Sequence, residues 1–405
     1  MRLAHFAALA ALAVAVVPRT AVACPFCAAP SLTLSQQVGQ ADVAVLGEWV
    51  AAQESDADHA AGTTFTVVET LRGEAPPTVE SVVYRAGEPG DLFLLLASYE
   101  EVSGAAGADA TERTEDTVDA STEPAGRKLR WSGPVEITRA AADYLKAAPP
   151  LDAPKQERLA YFLNYLEHDD ETVATDAYSE FAAAPYEDVV PLAKQMDTAK
   201  LREWLTSDEV TPTRLGLYGM MLGLSGDESD AALMLDIINT PTTEFRLGID
   251  GIMGGYILLT KEDGLARIEQ SKLLARDIPF NETYAAMQAL RFLWKYAEGT
   301  IPKERLRQSM RLLLQRPDMA DLVIADLARW KDWSLIDSLD ELYEADGFEM
   351  PAIKRAIVRY YLTATKTKTD APGDALKAKA EAKLAALKEA DPKTYENAVR
   401  FFFIG

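Results

Sequence analysis

Residues 158–182 read RLAYFLNYLEHDDETVATDAYSEFA. Leu159, Phe162, Leu163 and Leu166 fall on one face of a helix with 3.6 residues per turn. Asp169-Asp170 interrupts it, and Val173, Ala174, Ala177, Tyr178 and Phe181 then repeat the same spacing. Neither helix can bury its apolar stripe alone, so the pair needs neighbours on both sides. Further pairs follow at 186–206, 212–239, 244–273, 280–297 with 302–315, and 319–329 with 333–345, and the last helices are 350–365, 375–390 and 392–403. Thr211-Pro212 and Thr240-Pro241 fit helix starts, and Ser225-Gly226 and Glu298-Gly299 fit helix ends. Ala375–Leu387 is a strong helix former, suited to capping the array, and Phe401-Phe402-Phe403-Ile404 is an apolar tail expected to fold back onto it. The spacing predicts an all-α solenoid of about six stacked helix pairs over residues 155–405.

Upstream the period changes from 3.6 to 2. Residues 41–50, 63–71, 78–84, 92–97 and 131–137 read as strands, separated by turns at Arg72-Gly73-Glu74 and Gly87-Glu88-Pro89-Gly90-Asp91. Several short strands in so little chain predict a small antiparallel barrel or sandwich over 24–148. Residues 103–128, almost without apolar β-branched side chains, are expected to be a disordered acidic insertion. A linking helix at 140–146 and Pro149-Pro150 and Pro154 then mark the boundary between the two modules.

Residues 1–23 carry a basic start at Arg2, an apolar run from Phe6 to Val17 and Ala21-Val22-Ala23, the pattern of a secretory signal peptide cleaved after Ala23. That run is too short to span a bilayer, and no later segment reaches spanning length without a charge. The expected location is extracytoplasmic, periplasmic or secreted. Cys24 would then lead the mature chain, where it is also open to lipidation as a membrane anchor. Cys24 and Cys27, in Cys24-Pro25-Phe26-Cys27, are the two cysteines of the chain. In an exported protein they read first as a disulfide staple, and alternatively as a thiol-redox or metal-handling pair.

Two resemblances bear on the modules. The cysteine-led start, Ser31-Leu32, the run 41–47, Val67-Val68-Glu69-Thr70-Leu71-Arg72-Gly73, and Gly90-Asp91 before an apolar strand resemble netrin-type modules related to tissue inhibitors of metalloproteinases. The resemblance implies an OB-fold barrel for residues 24–100, and in the inhibitor branch a role for the Cys24 amine and carbonyl in chelating a protease zinc. The family's Cys-x-Cys is Cys-x-x-Cys here. The 161–182 unit resembles a HEAT repeat, which implies that Asp176 braces the turn between its two helices.

With 41 Lys+Arg against 63 Asp+Glu the formal charge is −22, which excludes nucleic acid as the main partner because phosphates are repelled. No cofactor or metal is expected from two Cys and three His. His5 falls in the signal segment, His59 in a polar loop, and His168 ends a helix. Gly248–Tyr256 is the densest glycine segment, yet no strand precedes it and no Lys with Ser/Thr follows at P-loop spacing. These glycines read as small residues that let helices approach closely. Trp330 and Trp333, beside Arg329 and Lys331, read as packing into a neighbouring helix rather than as an aromatic–cation surface. No catalytic constellation emerges. The expectation is an α+β multidomain protein, a small OB-like β-barrel followed by a HEAT-like solenoid, serving as an exported, non-enzymatic scaffold for a basic or cation-bridged protein partner. The alternative is thiol-redox or metal handling through Cys24 and Cys27.

Overall fold

The computed structural model describes residues 24–27, 31–55, 60–101, 127–366, 373–400 and 402. Residues 1–23, expected to be a signal peptide, most of the expected acidic insertion, His59 and most of the apolar tail lie outside the described residues. The insertion was expected to reach residue 128, but Arg127 and Lys128 open a strand and pair with Glu101 and Glu100.

A short helix α1 (Leu34–Gln40) precedes the strands, capped by Thr33, whose hydroxyl accepts the Gln36 amide while the Gln36 side chain accepts the Thr33 amide. The strands are β1 (Val43–Gln53), β2 (Gly62–Arg72), β3 (Thr78–Ser81), β4 (Leu92–Glu101), β5 (Arg127–Trp131) and β6 (Val135–Ile137). They form one antiparallel sheet ordered β3-β2-β1-β4-β5, with β6 also on β4. The expected barrel is therefore an open sheet, since β3 and β5 lie at opposite ends of the order. Both faces nevertheless carry buried side chains. Val43, Val45, Phe65, Phe93 and Leu95 form a small core on one face. Leu46, Leu92, Leu94 and Ile137 face the helices on the other. Burial on both faces explains why β1 and β4 read as unbroken apolar runs rather than alternating ones.

Helices α2 (Arg139–Ala147), α3 (Lys155–Phe162), α4 (Glu171–Ala183), α5 (Tyr186–Val189), α6 (Thr198–Thr206), α7 (Leu215–Ser225) and α8 (Glu228–Asn239) come next. They are followed by α9 (Ile249–Ile268), α10 (Phe280–Lys295), α11 (Lys303–Leu312), α12 (Ala320–Arg329), α13 (Leu339–Glu344), α14 (Pro351–Lys366), α15 (Gly373–Ala390) and α16 (Pro392–Arg400). One continuous core runs from Cys24 and Leu46 through all the longer helices to Ala398, so the sheet and the helices share their interior.

The closest helix contact is between α7 and α9. A Cβ built on Gly255 would lie 2.0 Å from the Gly219 carbonyl oxygen, and one on Gly251 2.2 Å from that of Gly216. The glycines of 248–255 thus let two backbones touch, and Gly216, Gly219 and Gly223 on α7 are their counterparts. Gly255→Ala should cost about 3 kcal/mol or more, because backbone cannot yield as a side chain can and the collision outweighs the roughly 1 kcal/mol helix-propensity gain. Gly133→Ala, where a Cβ meets nothing within 4 Å, should stay within about 0.5 kcal/mol of the parent. Urea unfolding of the two variants checks this.

Candidate functional site

Cys24 and Cys27 are bonded, Sγ to Sγ at 2.02 Å, closing a tight turn. The turn faces inward. Cys24 is only 6% exposed, and its backbone N–H donates to the Ala182 carbonyl at the end of α4, at 2.9 Å. Phe26, at the tip, lies in a crevice between helices, its ring centroid 4.7 Å from that of Phe292 on α10. Gly216 of α7 and Gly254 of α9 make the room, since a Cβ on Gly254 would come within 2.7 Å of Phe26 Cζ. The turn therefore plugs α4, α7, α9 and α10 together. Cys27 is only partly buried, so an outside thiol has access to one sulfur of the pair and not to that of Cys24.

Next to the plug is a buried polar clasp. Asp176 of α4 accepts the Leu34 amide at 2.6 Å and the Tyr144 hydroxyl at 2.9 Å. One turn on, Glu180 accepts the Thr33 hydroxyl at 2.7 Å and Arg158 Nη2 at 2.8 Å. Asp176 thus does not brace the turn between α3 and α4. It ties α1 and α2 to α4, because its one-turn offset from Glu180 turns both carboxylates toward the N-terminal segment. Burial pushes the Asp176 carboxyl up to about 6; the Leu34 and Tyr144 hydrogen bonds limit the rise, Glu180 adds to it, and Arg158 opposes it.

The other singled-out residues separate. His168 Nδ1 accepts the Asp170 amide at 3.0 Å, so the ring is an acceptor within the loop before α4. Trp330 stacks on Trp294 of α10 with centroids 4.3 Å apart and planes 6° off parallel, and Trp333 meets Tyr360 of α14 edge-on at 5.2 Å. Among the described residues no three His, Cys, Asp or Glu side chains gather as metal ligands, and no helix is long and apolar enough to cross a membrane.

A surface feature not anticipated from sequence is a groove across α10, α12 and α14. Between α10 and α12 it has a volume of 720 Å³, with Trp294 and Trp330 among its lining residues. Between α12 and α14 it continues for another 660 Å³, and Leu322, Ala325 and Arg329 line both parts. Its cations are Arg291, Lys295 and Arg329 in the first part and Arg355, Arg359 and Lys366 in the second. Buried Asp326 is held between Arg291 Nε at 2.6 Å and Arg329 Nη1 at 2.9 Å, so its charge is spent inside the wall. The only faint sequence signal is the one-turn spacing of Arg291 with Lys295 and of Arg355 with Arg359. Nothing local places the two helices in one layer. Comparison with known protein families, curated proteins and solved structures finds no match to this chain.

Two outcomes follow for stability. Phe26→Ala should cost about 3–5 kcal/mol, the usual loss for an emptied aromatic site, whereas Cys24→Ser with Cys27→Ser should cost about 2 kcal/mol, because so short a loop restricts the unfolded chain little. Denaturant midpoints that rank the disulfide above Phe26 would contradict the plug. For Asp176 the folded value lies above the unfolded one near 3.8, so the folded state holds the extra proton between those pH values. Its contribution to stability is fully present below about pH 4 and is lost as pH rises through about 6, by up to about 3 kcal/mol. Measured against the parent, Asp176→Asn should therefore gain stability steadily from pH 4 to pH 7; a flat difference across that window would refute the assignment.

Proposed function

We propose that this chain is an exported, non-enzymatic binding protein in which stacked HEAT-like helix pairs carry the partner site. The observation that supports this most directly is the groove. It is open, its lining comes from three helices in separate parts of the chain, and it combines apolar and aromatic residues with cations, as protein-binding surfaces do. Stacked helix pairs build such extended surfaces because every repeat presents one helix to the same side.

In this reading the N-terminal turn is structural. The disulfide uses the Cys24 sulfur that a lipid thioether would need, and the Cys24 nitrogen is turned toward Ala182 rather than outward to a foreign zinc. Burial of Cys24 weighs likewise against the thiol-redox and metal-handling alternative. The netrin-like reading of residues 24–100 remains part of the proposal as a small β-module docked on the helices.

The test is site-specific photo-crosslinking in the exporting cell. A benzophenone side chain at Ala325, which lines both halves of the groove, should give a discrete adduct that is suppressed at least tenfold by Leu322→Trp in the groove. The same probe at Val82, 82% exposed on the sheet side, should give none. Equal labelling at both positions, or none at Ala325, would count against the reading.

A further inference from the structure

The chain as a whole is strongly acidic, which points to a basic or cation-bridged partner. The groove has the opposite character. Among the described residues its walls carry six cations, Arg291, Lys295, Arg329, Arg355, Arg359 and Lys366, against two carboxylates, Asp321 and Asp326. Asp326 is 3% exposed and already engaged by Arg291 and Arg329. Lys295 and Arg355 make no ion pair among the described residues. Within a Debye length of about 8 Å, nearby charges dominate those on the far side of the molecule.

Along α10, toward its start from the groove, lies an exposed apolar patch. Phe280, Tyr284 and Arg291 lie on one stripe of α10: the Phe280 and Tyr284 rings are stacked at 5.8 Å, and the Arg291 guanidinium is 5.9 Å from the Tyr284 ring centre. Phe280 is 45% exposed. Beside it, Asn281 Nδ2 donates to the Glu244 carbonyl at 3.3 Å, which holds the loop bearing Phe245, 69% exposed, against the start of α10. Two large aromatic side chains exposed at the start of α10 and on the loop tied to it are costly to leave in water and fit a contact surface.

We propose that the groove binds an acidic polypeptide segment in extended form, with apolar side chains at one end to cover Phe245 and Phe280. This rests on the binding reading above and names the chemistry of its partner. An extended chain suits the geometry better than a compact phosphate. The cations are distributed over α10, α12 and α14, with Leu322, Ala325 and Ala356 in the same lining, instead of coming from one loop or helix end. With neighbouring helices about 8–10 Å apart, α10 to α14 spans about 20 Å, the length of about six extended residues. Glu or Asp at intervals would meet the rims, and the intervening side chains would rest on the Trp294 and Ala325 floor.

The experiment is fluorescence anisotropy with the full exported chain and a fluorescein-labelled peptide of about ten residues, two Phe followed by alternating Glu and Leu. The expected result is saturable binding that weakens at least tenfold from 0.1 to about 0.5 M salt, because screening erases the rim contacts. Lys295→Glu with Arg355→Glu should weaken it at least tenfold further, while a peptide with Lys in place of Glu should not bind. Arg355→Gln, milder toward the fold, should give an intermediate loss with an unchanged melting curve. No binding of the acidic peptide, equal binding by the charge-reversed variant, or preference for phosphatidylglycerol vesicles or polyphosphate over the peptide would each overturn the proposal. The Ala325 crosslink keeps the two readings apart. An adduct that forms and is indifferent to Lys295→Glu with Arg355→Glu overturns the charge chemistry alone, whereas loss of any adduct in the parent overturns the binding reading itself.

Discussion

The backbone-to-backbone contact of α7 with α9 is the constraint around which the helices are arranged. Every residue of α7 from Gly216 to Gly223 is buried, so this helix has no solvent face and must be surrounded. Glycine at Gly216, Gly219, Gly223, Gly251 and Gly255 costs each helix roughly 0.5–1 kcal/mol per position relative to alanine. The return is a contact dense enough to exclude side chains from the seam and a crevice at its end between Gly216 and Gly254. Phe26 fills that crevice, and through it the first described residues reach α10. The N-terminal turn is thus positioned by a packing decision taken more than two hundred positions later in the chain.

A second regularity runs through the helical part. Arg158 pairs with Glu180, Arg214 with Glu167 and Glu171, Arg246 and Lys272 with Glu282, Arg291 with Asp326, Arg305 with Glu269, and Arg311 with Asp332. Most of these carboxylates are nearly buried. Burial alone would raise Glu282, yet the hydrogen bonds from Arg246 and Lys272 more than offset it and hold the carboxyl below its ordinary value; Arg305 with Ser309 does the same for Glu269. Ion pairs of this kind add little net stability, since desolvation consumes most of the attraction, but a misregistered helix would leave a charge buried alone at several kcal/mol. They therefore fix which helix lies beside which. The groove depends on that register, because its cations come from three helices that only packing brings into one layer.

What was legible in the sequence follows the range of each signal. Helix and strand positions come from periodicity within one element, so α4, α10, α12 and α14 are readable nearly to their ends, whereas α3 stops at Phe162 and Leu163–Tyr165 tightens into a 3-10 turn. The glycines at 248–255 were readable as a close-approach surface because small residues in a helix have few other uses. Sheet closure was not readable, because it depends on whether a second layer covers Leu46 and Leu94, which local alternation does not encode. Asp176 was assigned a local brace from its place in the 161–182 unit, whereas its partners are Leu34 and Tyr144, far away in sequence. The groove was missed for a related reason. A net charge sums over the whole chain, and the sum of −22 conceals a local surplus assembled from segments roughly thirty residues apart.

That local surplus inside an acidic field has a selective consequence on the proposed reading. A partner that is acidic throughout would be repelled at long range before its charges came within a Debye length of the groove. A partner with acids confined to one short segment, on an otherwise neutral or basic body, would escape that repulsion and still find the cation row at contact distance. The overall charge and the groove therefore act on different parts of the partner. The acidic surface rejects a uniformly acidic protein, and the rims of Arg and Lys accept the single acidic strand. A uniformly basic partner gains from the field but has nothing to place against Arg329, Arg355 and Arg359. Discrimination of this kind comes from combining an attraction with a repulsion, and it needs the rigid register that the buried ion pairs supply.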